Sequence, residues 1–415
     1  MTRYMKEEYG MQVPIIAPPK VKMFQLMDSL PTPFLIYDLP GIKHTIEQYK
    51  LDVSLIPNAK LNCALKACYV PEVLKVFVDA GLGADTASPK EYDYARKNDF
   101  REISATGPSF SVVSQISTMF EEGTDLDVCS LDQLQFIVNN FPGSNIGLRL
   151  RLELPRELDG NDTFANNSRF GVNVTDTRLH SLLEQGSLTV TRIHFHIGQL
   201  APPRFLYELQ YALMVAKSIS TIQYIDFGGG FYDLYVNRAK ARYVFKQVNE
   251  LVKAYNINRS IKFRFEPGAA ISGPHGYLVT TIQSIEHSHK YYGYDIVQVD
   301  SSAWNFSPWH VPKVFSLDKI RQSVKNNPTR PAILAGNTLY ENDFFGGENV
   351  LRTPTLDIPE ETSIGDKLVV TNFGAYTLTN KRDFNMLGDL PVYLYTGEEV
   401  TLSSNGLSDL GKYNG

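Results

Sequence analysis

Leu61-Asn62-Cys63-Ala64-Leu65-Lys66-Ala67, then an amphipathic Val70–Ala80, then Leu82-Gly83-Ala84-Asp85-Thr86-Ala87-Ser88: an apolar strand, a one-faced helix and a second short strand follow one another directly. Ser88 with Glu91, and Ser130 with Gln133, form S-x-x-E/Q capping boxes that open the next two helices. The rhythm continues outward from this unit. Strands are expected at Leu61–Ala67, Leu82–Ser88, Glu102–Gly107, Asp125–Ser130, Asn145–Leu154, Leu188–Gly198, Ile222–Gly230 and Ile261–Ala270, with helices at Phe110–Glu122, Pro203–Ser220 and Ala239–Tyr255. Eight strand–helix units in succession predict a closed parallel (β/α)8 barrel of the TIM type, an α/β fold. An open doubly wound sheet competes, but it usually has fewer strands, and no G-x-G-x-x-G follows the first strand here.

After Gly276 the rhythm changes. Tyr277–Glu286, Asp295–Val299, Ala332–Ala335 and Lys367–Thr371 read as strands without regular helices between them, which predicts a β-rich second domain of sandwich or barrel-like form. Thr32–Asp38 is a strand available to that domain. The expected division is therefore a barrel over 38–276 and a β-rich domain made of 1–37 and 277–415. A net charge of -5 leaves no basic surface for nucleic acid. No stretch is apolar enough to span a membrane, and Met1–Lys20 lacks the apolar core of a signal peptide. Cys63, Cys68 and Cys129 are an odd count without zinc-like spacing, which suits a reduced, cytoplasmic setting.

Catalysis in such a barrel sits at the C-terminal ends of the strands. Those ends carry Lys66, Asp85, Gly107, Asp127, Arg149, His196, the Gly228-Gly229-Gly230 run and Glu266. Lys66 is either a strand-end lysine reaching solvent or a Schiff-base lysine. The glycine triplet is either a flexible turn or a backbone cradle for an anion such as phosphate. In His194-Phe195-His196 the two histidines are expected to face opposite sides of the strand. No metal is expected, because no nearby carboxylate or cysteine completes a ligand set. Glu266-Pro267-Gly268 either caps the next turn or partners a protonated ring nitrogen.

Taken in order along the chain, these residues resemble the ornithine/diaminopimelate/arginine decarboxylase family, the barrel-type (fold-type III) pyridoxal-phosphate enzymes that also resemble alanine racemase. Thr32–Asp38 is similar to the family's opening strand. Ala64-Leu65-Lys66-Ala67 resembles its Y-A-x-K-A motif, with Cys63 for tyrosine, and Gly83–Ser88 followed by Glu91 its D-x-A-S segment. Ser168-Arg169-Phe170-Gly171 stands for S-K-F-G, and Glu266-Pro267-Gly268 for E-P-G-R. Gly374-Ala375-Tyr376 stands for G-A-Y. The resemblance implies a pyridoxal 5'-phosphate cofactor carried on Lys66 and stacked by His196. Gly228, Gly229, Gly230, Gly268 and Tyr376 would lie at its phosphate, Glu266 at its ring nitrogen, and Asp85, Glu91 and Arg149 around Lys66. It also implies a homodimer in which Tyr376 and the segment Gly336–Asp343 complete the partner's site.

Three departures bear on chemistry. Ala269 replaces the arginine of E-P-G-R, and Gln199 replaces a serine after the stacked histidine. In the family's G-x-x-C-x-x-x-D motif, read here as Gly336–Asp343, Leu339 replaces the proton-donating cysteine and Tyr340 an acidic residue that holds a distal amine. Lys66, Tyr340 or a water must then return the proton to the substrate carbon. Leu339, Tyr340 and Asp343 are the expected substrate-binding residues. Lys325 and Arg330 are either pairs for a distal carboxylate or plain surface cations. The expected activity is removal of the α-carboxylate of an amino-acid-like substrate with a larger or acidic group, in a specialised pathway of siderophore, peptide or antibiotic type. A racemase on the same fold and a catalytically inactive regulatory relative are the alternatives.

Overall fold

A computed structural model describes residues 17–27, 30–159, 166–257, 260–323, 328–346 and 354–404. The chain divides into two compact units. One comprises Ile46–Lys66 and Phe77–Ala270; the other comprises the described parts of Pro14–Thr45, Ala67–Val76 and Ile271–Gly415. Lys325 lies outside the described residues.

In chain order the first strand, β1 (Phe34–Asp38), belongs to the second unit. The next eight form the first unit: β2 (Ala59–Ala64), β3 (Gly83–Thr86), β4 (Ile103–Thr106), β5 (Asp125–Val128), β6 (Asn145–Arg149), β7 (Thr189–Phe195), β8 (Tyr224–Phe227) and β9 (Lys262–Phe265). Each pairs in parallel with the next, and β9 pairs with β2, so the barrel closes. All eight expected strands are present. They stop earlier than read, because their last residues turn away to build the rim; Lys66 sits in a 3-10 turn, Leu65–Ala67, directly after β2. Both serines cap their helices, and in each case the Glu or Gln three residues on reaches back to the N–H just before the cap. Ser88 Oγ accepts from Glu91 N at 3.3 Å while Glu91 Oε2 accepts from Ala87 N at 2.6 Å. Ser130 Oγ accepts from Gln133 N at 3.1 Å, and Gln133 Oε1 accepts from Cys129 N at 2.7 Å.

The outer faces of the strands pack on helices through apolar side chains, among them the ring cluster Phe205, Phe227, Phe231, Phe245 and Phe265. The barrel interior departs from the usual layers of branched aliphatics. Arg192 Nε lies 2.7 Å from Asp127 Oδ1 and its Nη1 2.7 Å from Asp125 Oδ1. Arg264 bridges Asp125 (2.7 Å) and Asp226 (3.3 Å), and Thr106 donates to Asp127 at 2.7 Å. Gly147 makes room for this network: a Cβ there would fall 1.8 Å from Asp127 Oδ1. Asp127, read as a rim residue, is thus part of the ion-paired interior. Buried charges persist only when paired in this way.

The second unit holds β10 (Gly276–Glu286), β11 (Ile296–Val299), β12 (Val314–Ser316), β13 (Thr329–Ala335), β14 (Thr355–Pro359), β15 (Lys367–Val370), β16 (Val392–Tyr395) and β17 (Val400–Leu402). With β1 they make one sheet, whose main path runs β14-β13-β11-β10-β1-β16-β17, while β15 pairs with β10 and β12. β1 lies antiparallel to β10 and parallel to β16, so the early strand joins this unit. Its core gathers Met23, Phe24, Phe34, Ile36, Tyr277, Val279, Val369 and Tyr395. The sequence reading misses β12, β14, β16 and β17, which are three to five residues long and leave too little alternation to read. Among the described residues no helix is long and apolar enough to cross a membrane.

Candidate active site

Parallel strands all end on one rim, so side chains two residues apart on each strand line the same interior surface. In the 3-10 turn after β2, Lys66 Nζ meets Asp85 Oδ2 of β3 at 3.0 Å. Asp85 is buried, and its other oxygen, Oδ1, has no hydrogen-bond partner among the described residues. Arg149, the last residue of β6, is placed by the segment Ser168–Gly171. Gly171 N donates to the Cys129 carbonyl and Val172 N to the Arg149 carbonyl, both at 2.9 Å, and the Phe170 ring lies 4.9 Å from the Arg149 guanidinium carbon. Burial draws Arg149 below its usual value, and the negative charges of Asp85 and Glu266 work against that shift.

His194 and His196 are two residues apart. The expectation that they face opposite sides is corrected by the structure, and the reason is the period-two alternation of a strand, which puts residues i and i+2 on one face. Both serve the interior. His196 Nδ1 pairs with the carbonyl of Gly228 at the rim, and His194 Nε2 lies 3.3 Å from Glu266 Oε2 one layer below. Burial, followed by the cationic neighbours Arg149 and Lys66, holds His196 well below the ordinary imidazole value, so it is neutral at physiological pH.

Gly228–Gly230 follow β8. A Cβ on Gly228 would fall 2.6 Å from His194 Nε2. Gly230, at φ +78°, would place one 2.4 Å from the Gly198 carbonyl. Gln199, where a serine is expected, accepts a hydrogen bond from Asp233 N at 3.3 Å and so ties the rim after β7 to the short helix beyond the triplet. Glu266 follows β9 and is buried. Ser104 donates to its Oε1 at 3.1 Å. Burial first, and the negative charge of Asp85 second, push Glu266 up to about 8 against the pull of Lys66 and Arg264. Gly268 lies two residues further on, before the short helix Ala269–Ser272.

The other expected site residues belong to the second unit. Leu339 and Tyr340 lie in the loop after β13, and Leu339 is 86% exposed. Asp343 is buried and organises that loop: it accepts from Thr338 Oγ1 (2.6 Å), Thr338 N (3.2 Å) and Trp304 N (2.8 Å). Its described contacts are thus structural. Tyr340 lies against Trp304, with ring centroids 3.9 Å apart, and Tyr376 against Trp309 at 4.0 Å. The chain has two tryptophans, and each supports one of these tyrosines. Arg382 lies 3.9 Å over the Trp304 ring. Arg330 is committed to Asp295 at 2.9 Å. The sequence reading singles out neither tryptophan, nor Ser104, nor His194 as a site residue. Strand parity alone would have found the last two, since Ser104 and His194 share the interior face with Thr106 and His196.

Residues 42–273 match the family model described as "Pyridoxal-dependent decarboxylase, pyridoxal binding domain". The chain is 24% identical to the diaminopimelate decarboxylase of Aquifex aeolicus over 88% of its own length and 87% of the relative's. It is 25% identical to a probable ornithine decarboxylase of Dictyostelium discoideum over 84% and 77%. A solved diaminopimelate decarboxylase from M. jannaschii shares the fold, with a TM-score of 0.77 at 17% identity over 94% of each chain. With the barrel, its rim and a match over more than half the chain in agreement, this protein belongs to the pyridoxal-dependent decarboxylases, and it is a carboxy-lyase of amino acids whose cofactor is pyridoxal 5'-phosphate.

Proposed function

We propose that the substrate is an amino acid with a larger or acidic side chain, consumed in a specialised biosynthetic pathway, and that the protein works as a cytoplasmic homodimer with shared active sites. The observation that carries the substrate class is Tyr340, seated on Trp304 with Arg382 over the same ring, where relatives that form plain diamines would need a carboxylate. The aromatic shelf suits a bulky end group, and the guanidinium suits an anionic one and repels an ammonium.

The barrel rim fits pyridoxal phosphate. The triplet Gly228–Gly230 leaves backbone open to a phosphate where side chains would clash. A buried glutamate needs a cationic or N–H partner, and the orphaned Asp85 Oδ1 needs a donor. Lys66 would hold the cofactor, Glu266 its ring nitrogen and His196 one ring face, while Arg149 and Asp85 would balance charge around Lys66. When bound, the cofactor supplies an electron sink for the pair left by the departing carboxylate. Glu266 would keep a proton at the ring nitrogen. A neutral His196, fixed by its bond to the Gly228 carbonyl, would cover the ring without adding charge. Lys66 Nζ, once free, would carry a proton toward the substrate carbon, with Tyr340 or water as the alternative donor, since Leu339 has none to give. Ala269 leaves the phosphate without an arginine at that position, and the backbone amides of the glycine triplet would take a larger share of its binding.

The test is a panel of amino acids offered to the purified, cofactor-loaded protein, with carbon dioxide and product amine both measured. Release is expected fastest for a substrate with an acidic or bulky side chain. Fastest release from ornithine or lysine would overturn the substrate class.

A further inference from the structure

Below the rim, Glu266 is gripped from two strands. Ser104 of β4 has one proton to give and itself accepts from Asn62 Nδ2 at 3.2 Å; its proton has the Glu266 carboxylate at 3.1 Å and the neutral Ala84 carbonyl at 3.3 Å to choose between. The carboxylate is the nearer and stronger acceptor. His194 of β7 is buried, and its Nδ1 has no hydrogen-bond partner among the described residues. That fixes its tautomer. With the proton on Nε2, the ring donates to Glu266 Oε2 and leaves only a bare lone pair at Nδ1. With the proton on Nδ1, a buried N–H would be orphaned and, once Glu266 is ionised against a ring nitrogen, two lone-pair atoms would face each other at 3.3 Å. Gly228 is what admits the imidazole here, since its Cβ would stand 2.6 Å from Nε2.

We propose that His194 and Ser104 are positioning residues for the cofactor ring: each donates to one oxygen of Glu266, and together they fix its rotamer and favour its ionised form once a protonated ring nitrogen stands beside it. This rests on the reading of Glu266 as the ring-nitrogen partner. The charges facing Glu266 otherwise oppose one another, with Asp85 and Asp127 against Lys66, Arg149 and Arg264, and with Asp226 beside His194. The two neutral donors therefore decide the geometry. They also leave one lone pair on each oxygen for the ring.

The experiment compares Ser104→Ala, His194→Leu, His194→Gln and Glu266→Gln. It reads the dissociation constant of pyridoxal phosphate from each apoprotein and the ring-nitrogen resonance of bound 15N-labelled cofactor. Ser104→Ala and His194→Leu are each expected to weaken binding about tenfold and to move the resonance toward the unprotonated position. His194→Gln keeps an N–H near the Nε2 position and is expected to stay within about threefold of wild type. Unchanged binding and resonance in Ser104→Ala and His194→Leu overturn the proposal. So does a His194→Gln as impaired as His194→Leu, since packing rather than donation would then be at stake. If His194→Leu does not fold, Ser104→Ala and His194→Gln decide. A ring that stays protonated in Glu266→Gln marks the separate failure of the reading of Glu266 itself.

Discussion

On the proposed reading, the side chain at position 339 decides which group returns the proton. The family resemblance puts a cysteine there as proton donor, and the chain has a leucine whose side chain is 86% exposed and packs into no core. Leu339→Cys is therefore expected to leave the melting temperature unchanged. It should keep or raise the fraction of turnovers that end in amine rather than in aldehyde and pyridoxamine phosphate, as product analysis would measure. Loss of turnover with cofactor still bound would make position 339 part of a substrate pocket. Lys66 gives a second check: borohydride reduction followed by peptide mapping should place the pyridoxyl group on Lys66, and a label on another lysine refutes its role. Gly336 and Asn337 made the loop around Tyr340 readable in advance. The Trp304 ring beneath Tyr340 was not readable, because the two residues lie far apart in sequence and share no local pattern.

At the scale of an element, the helix Pro202–Ser218 carries a buried carboxylate. Glu208 is enclosed, and burial pushes it up to about 8, with Arg204 pulling the other way. Arg204 sits one turn earlier and donates to the carbonyls of Leu158 (2.6 Å), Asp159 (2.6 Å) and Gln199 (3.2 Å). Between the ordinary glutamate value and about 8 the native state holds a proton that the unfolded chain has lost. The stability this group contributes is thus complete at low pH and is lost as pH rises through about 8. Glu208→Gln mimics the protonated acid and should remove that loss. The gain over wild type should grow from pH 5 to pH 8 to on the order of a few kcal/mol, read from denaturant melts at both pH values. A gain independent of pH would mean that Glu208 is ionised in the native state.

For the whole molecule, the proposed shared-site homodimer makes a test that no single-chain mechanism passes. Lys66→Ala and Tyr376→Ala proteins, each inactive alone, should recover some activity when mixed under proven subunit exchange, because half of the sites in a heterodimer escape both changes. No recovery would place each site within one subunit. The sequence by itself determined the barrel, because the strand–helix pattern is a local signal repeated eight times and two capping boxes mark helix starts within it, and it placed the candidate rim residues, Asp127 apart, because they stand at strand ends in a recognisable order. It also showed that an early strand was available to the second domain. Tertiary structure alone decided what lies beneath the rim. The interior pairing of Arg192 and Arg264 with Asp125, Asp127 and Asp226, and the grip of His194 and Ser104 on Glu266, join strands far apart along the chain. Such contacts exist only once the barrel closes, since closure is what brings those side chains within hydrogen-bond reach and removes the water that would otherwise compete for them.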